Sequence, residues 1–176
     1  MTPAGLLADG FGRIPALIER AVEGLDARAL AARPVPGANS IAWLAWHTAR
    51  GQDAWVGDLD GTEPVWTAAG WFELFALPFP PDENGFGMAD GDTTRVVASA
   101  ELLTAYLRAV AERTLGYLAT LSAADLDDII DASRTPAVSR GTRLLSILDD
   151  GLQHCGQAAY ARGILGGDGI RSLGVV

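Results

Sequence analysis

Apolar residues recur every three or four positions through four long stretches of this chain, and no stretch keeps the period of two that a half-buried strand needs. The first stretch, about Leu6 to Leu25, places Leu7, Phe11, Ile14, Leu17, Ile18, Ala21 and Val22 at helical spacing. Pro15 within it predicts a kink or a nearby start, because proline has no N–H to give the preceding turn. Ala27 to Ala32 predicts a further short turn of helix before Pro34 and Pro36 break the pattern. The second stretch begins at Asn39 or Ser40, whose side chains cap free N–H groups, and continues to about Leu59 before Gly61. Its inner stripe is Ile41, Leu44, His47, Gly51 and Trp55, with Thr48 at the edge. The third covers about Ala100 to Leu121, and the fourth starts near Thr142 and closes on Gly166 and Gly167.

Four helices of about 20 residues, each about 30 Å long, with one apolar stripe apiece to bury, predict an all-α four-helix bundle. Between helices two and three lies a long irregular connection, about Thr62 to Ser99, with Trp66, Gly70-Trp71-Phe72, Pro78-Phe79-Pro80-Pro81 and Asn84-Gly85-Phe86-Gly87. A connection of that length predicts a crossover that leaves helices two and three parallel, and a segment that serves as a lid or binding loop. A second loop, Ser122 to Gly141, carries a short acidic segment around Leu126 to Ile130.

The chain has 176 residues, 49% of them hydrophobic and 20% charged, which suits a single domain over residues 1–176 with a core of its own. A formal charge of −9 repels a phosphate backbone, so nucleic acid is not expected as a partner. One cysteine, Cys155, cannot form an intramolecular disulfide. The N-terminal segment has no basic region ahead of an apolar run, and no stretch has the length of a membrane span, so a soluble, cytoplasmic protein is expected.

The chain has two histidines, His47 and His154, each on the apolar face of a helical stretch. Asp150 precedes His154 by four residues, which on a helix puts its carboxylate one turn away on the same side. Two imidazoles and a carboxylate can hold a divalent first-row metal on one face and leave positions open for water or substrate. The competing reading is ordinary core chemistry: packed, hydrogen-bonded histidines, with Asp150 paired to Arg143 or to His154. Arg50 follows His47 by three residues and Gln157 follows His154 by three, so both border the candidate site, although Arg50 can equally form an exposed pair with Asp53. Gly51 and Gly156 are candidates for close helix approach. Cys155 points more than a quarter turn away from His154 and reads as a small buried residue. Most of the aromatics suit the core, and those in the long loop are the better candidates for lining a pocket.

Asn39 to Asp53, with Trp43-Leu44-Ala45-Trp46-His47, resembles the second helix of the DinB-like superfamily, and Leu152 to Gly163, with His154-Cys155-Gly156-Gln157, resembles its fourth. Gly70-Trp71-Phe72 and Gly85-Phe86-Gly87 resemble loop segments of the branch called mycothiol-dependent transferases. The resemblance implies a four-helix bundle holding a divalent metal by three side chains, usually three histidines. His47 and His154 match two of these, and Asp150 stands where the family has the third. It further implies a metal of the zinc, nickel or iron class and mycothiol, or a related thiol, as co-substrate. The metal would hold the thiol as thiolate for attack on an electrophilic small molecule. An isomerase that returns the thiol, or a non-catalytic metal- or ligand-binding bundle, are the alternatives. Exposed apolar surface on such a bundle also allows a homodimer.

Overall fold

The structure, a computed structural model, describes residues 1–166. Gly167, part of the expected C-terminal stop, lies outside the described residues. Four long helices form the body: α1 (Pro3–Val22), α3 (Ile41–Asp60), α7 (Ala100–Thr120) and α8 (Arg140–Ile164). The short α2 (Ala27–Ala31) links the first two. The long connection carries three helices of one turn, α4 (Val65–Ala68), α5 (Trp71–Phe75) and α6 (Asp90–Thr93). A 3-10 turn at Asp125–Asp127 and an antiparallel pair, β1 (Ile129–Asp131) with β2 (Val138–Ser139), precede α8.

Side-chain oxygens set where the long helices begin. Thr2, Ser40, Ser99 and Ser139 accept from the backbone N–H groups of Gly5, Trp43, Leu102 and Thr142 respectively, each cap stabilising by about 1 kcal/mol. The last of these corrects the expected start near Thr142: Ser139 is the cap, so α8 gains a turn. Helix α1 likewise begins ahead of Leu6 and continues through Pro15. Gly61, at φ 67°, ends α3 in the left-handed conformation that glycine adopts without a Cβ penalty. The β pair and the short helices are departures from the expected loops. Strands of three and two residues are too short to establish an alternating pattern, and one-turn helices are too short for a stripe.

Helices α1 and α3 each pack against both α7 and α8, leaving α1 and α3 on a diagonal. Contacts along the helices fix their directions. Tyr106 reaches Asp53 and Tyr117 reaches the Leu59 carbonyl, so α3 and α7 run parallel, as the long connection predicts. His154 faces His47 while Arg140 reaches Leu59, so α8 runs against α3. Arg162 donates to the Ala21 and Glu23 carbonyls near the end of α1, which makes α1 and α8 parallel. The core between them is built from Phe11, Ile14 and Ile18, Ile41 and Leu44, Leu103, Tyr106 and Val110, and Leu144 and Ala158. Among the described residues, no helix is long and apolar enough to cross a membrane.

The connecting segment covers the outer side of α3, which explains why every residue from Ile41 to Asp53 is buried. Trp66 and Phe75 stack around Tyr106, with ring centroids 5.1 Å and 5.7 Å from it. Beneath them, Asp53 is fully buried and accepts four hydrogen bonds: from the N–H groups of Val65 (3.0 Å) and Trp66 (2.9 Å), the Tyr106 hydroxyl (2.8 Å) and the Arg113 guanidinium (2.9 Å). These four fill the acceptor capacity of a carboxylate and pin the start of the crossover to α3.

Candidate metal centre

His47 on α3 and His154 with Asp150 on α8 come together where the two antiparallel helices face each other. One ligand atom from each lies within 4.8 Å of the other two. The imidazole centroids are 4.9 Å apart at 69°. Asp150 Oδ1 lies 3.4 Å from His154 Nε2, close to the edge expected for two ligands each about 2.1 Å from a shared ion in tetrahedral geometry. The widest separation, up to 4.8 Å, exceeds that edge by about 1.4 Å, so side-chain rotation must draw the three groups together around an ion. Asp150 is 55% exposed, so the centre opens to solvent on one side.

The outer nitrogens of both rings are already engaged. His47 Nδ1 donates to the Asn84 carbonyl, and His154 Nδ1 donates to Gln157 Oε1 at 2.9 Å. An imidazole protonated at Nδ1 presents a lone pair at Nε2, so both histidines are held in the tautomer that ligates through Nε2. On His154 that lone pair faces the Asp150 carboxylate, and two acceptors at this distance need a cation between them, either a proton or a metal. Charge follows the same pattern. Burial lowers the pKa of His47, with the Asn84 hydrogen bond acting in the other direction. Burial also acts to lower His154, but its bonds to Asp150 and Gln157 together outweigh it, and the net change is upward. The hydrogen bond from His154 holds Asp150 below the usual carboxylate range. The donor set therefore fits a divalent metal.

Trp43 and the Asn84-Gly85 turn shape the inner side of the centre. Trp43, one turn before His47, stacks on its ring at 4.6 Å and meets His154 edge-on at 6.0 Å. Gly85, at φ 92°, lets the loop rest on His47: a Cβ there would come within 2.6 Å of Nδ1. The Asn84-Gly85 pair is a turn signal, but nothing in the sequence shows which ring its carbonyl meets. Arg50 differs from expectation. It is 2% exposed; its expected pair with Asp53 forms, at 3.8 Å, but is buried and not solvent-facing, and its guanidinium points away from the centre. There it donates to the Glu83 and Pro81 carbonyls, both at 3.2 Å, and lies over Trp66. Its influence on His47 passes through the loop, since Asn84 is the next residue after Glu83. Gln157 does border the centre, as its spacing suggests.

A cleft of about 410 Å³ leads away from His47 and Asp150. Its α3 wall is Gly51 and Trp55, its α8 wall Arg143, Ser146 and Ile147, and Phe86 stands over it from the loop. Gly51 and Gly156 meet nothing within 4 Å of an added Cβ, so neither serves close helix approach. Trp55, placed on the buried stripe by spacing, is 39% exposed and belongs to the cleft. Of the loop aromatics only Phe86 lines it; Trp66 is core, and Trp71, Phe72 and Phe79 pack against the core.

A family model described as the DinB superfamily matches residues 11–158. The chain belongs to the DinB superfamily. A crystal structure of the conserved protein of locus from Enterococcus faecalis is similar to it, with 32% sequence identity and a TM-score of 0.88. That likeness covers 94% of this chain and 98% of the other. None of the curated proteins matches significantly. The bundle is thus that of a DinB-superfamily member, a superfamily that often binds metal.

Proposed function

We propose that this DinB-superfamily protein is a cytoplasmic, metal-dependent transferase of the mycothiol-dependent branch, joining a low-molecular-weight thiol to an electrophilic small molecule. The observation that carries this reading is the convergence of His47, Asp150 and His154 on one point that is open toward a cleft. A zinc, nickel or iron ion held there would keep the thiol sulfur as thiolate near neutral pH. The chain's own groups prepare that point. Asn84 and Gln157 fix the two tautomers, and Asp150 supplies a negative charge toward a divalent ion. Trp43 and Gly85 close the inner side of His47 against water. Cys155 is unsuited to be the nucleophile: it is buried, and burial pushes its thiol up to about 12.

The test is thiol-dependent conjugation of a panel of electrophiles by the metal-loaded protein. His154→Ala is expected to abolish it, and full activity in that variant would contradict the proposal. The mass of the product separates transfer from isomerisation, since an adduct that retains the thiol excludes an isomerase.

A further inference from the structure

Arg143 stands in the cleft two turns of α8 before Asp150, half-buried, with its guanidinium 4.6 Å above the ring of Trp55. It makes no hydrogen bond or ion pair with another side chain among the described residues. The nearby acid Asp131 is held below the usual carboxylate range first by its bonds to Ser133 and to a lesser degree by the charges of Arg134 and Arg143, with no hydrogen bond or ion pair to Arg143. Asp131 accepts from the Ser133 N–H (3.0 Å) and hydroxyl (2.6 Å) and lies 3.6 Å from Arg134. Asp58 lines the adjoining groove without pairing to Arg143. A guanidinium stacked on an indole has its plane fixed while its edge N–H groups stay free, which is the arrangement that receives a carboxylate in a two-pronged bond.

The space between Arg143 and the metal centre is open and largely apolar. Gly51 lies one turn from both His47 and Trp55, and the Cβ it lacks would meet nothing within 4 Å. Ile147 faces it from α8, and Phe86 from the loop. Arg143 and Asp150 are seven residues apart, about 10 Å along a helix. In a chain of formal charge −9, an anion needs a local cation to enter. The cleft is lined by two, Arg134 and Arg143; Arg134 is 74% exposed and lies 3.6 Å from Asp131, which leaves Arg143 as the one without a carboxylate partner among the described residues.

We infer that this cleft takes a small molecule with an apolar body and a terminal carboxylate, which docks on Arg143 while the opposite end reaches the His47–Asp150–His154 centre. The inference rests on the function proposed above for the reacting end, and its anion-binding half stands on Arg143 and Trp55 alone. Arg143 is a specificity-determining residue: it selects an anionic ligand and sets its distance from the metal.

Two titrations of the full chain test this. In the first, octanoate and octanamide are titrated by calorimetry into wild type, Arg143→Gln and Gly51→Leu. Wild type should favour the acid by about tenfold or more, the range of a charge-assisted bond over a neutral one. Arg143→Gln should remove that preference while leaving octanamide affinity unchanged, and Gly51→Leu should weaken both ligands. Equal binding of acid and amide by wild type, or an acid preference that survives in Arg143→Gln, overturns the inference. The second titration uses the cobalt-loaded protein and reads sulfur-to-cobalt charge-transfer absorption with octanethiol, ω-mercaptooctanoate and its methyl ester. Tighter binding of the acid, dependent on Arg143, places the carboxylate on the thiol. If the acid and ester bind alike and octanoate still binds beside a cobalt-held ethanethiol in an Arg143-dependent manner, the carboxylate belongs to the electrophile. Absence of the absorption with every thiol contradicts the proposed function, while the octanoate result still decides the role of Arg143.

Discussion

Asp53 and His47 lie less than two turns apart on α3, and both are buried. Around Asp53 every acceptor position is filled from within the chain, by two backbone N–H groups, a tyrosine and an arginine. Around His47 only the outer nitrogen is satisfied, and the inner one faces His154 and Asp150 with acceptors left over. A closed set of this kind fixes structure, because nothing remains to bind. A converging set with surplus acceptors takes up a proton or a metal ion, and in the second case has room for chemistry. The two polar clusters thus differ in what they leave unpaired, and the open one also reaches solvent through Asp150.

This contrast can be broken most severely by Asp53→Ala. Removing one partner of a buried, fully bonded charge cluster costs about 3–5 kcal/mol, to be measured by denaturant unfolding. Asp150→Ala in metal-free protein should change stability by no more than about 1 kcal/mol, because the group is half-exposed. If the two variants lose similar stability without metal, the contrast between closed and open clusters fails. Next in size is stabilisation by metal itself. Adding a divalent ion at 100 times its dissociation constant should stabilise wild type by about 2.7 kcal/mol, seen as a raised unfolding midpoint, and His47→Ala should show no such rise. Gln157→Ala should then lower metal affinity by about 10- to 100-fold without unfolding the protein, measurable by competition with a chelator. Unchanged affinity would mean that the tautomer of His154 is set without Gln157. The smallest effect concerns Cys155. With its thiol pushed up to about 12, it should resist alkylation in the native state near pH 8 and react on unfolding; rapid native alkylation would show that the surroundings of His154 are looser than described.

The long helices were legible because twenty residues give several turns of a repeating apolar pattern, and their caps were legible because Ser40 and Gly61 have specific backbone chemistry. The parallel course of α3 and α7 followed from the length of the connection. The β1–β2 pair was not legible, since five residues carry no period. At the centre, His154 and Asp150 could be joined by helical spacing, and Gln157 by the same rule. Asn84 could not, because its contribution is a backbone carbonyl and so carries no side-chain signature. Arg50 shows the converse: spacing placed it near His47, but the loop that covers α3 turned it toward Pro81 and Glu83. Trp55 and Gly51 followed the expected stripe, yet the stripe faces a cleft there and not the core, a distinction set by how α8 and the loop sit around it.

The most direct test of the account is the metal content of tag-free wild type, Asp150→Ala and His154→Ala, measured by elemental mass spectrometry. Wild type should carry close to one divalent ion per chain, and both variants should lose it. A wild type without metal, or variants that keep it, would contradict a centre built on His47, Asp150 and His154.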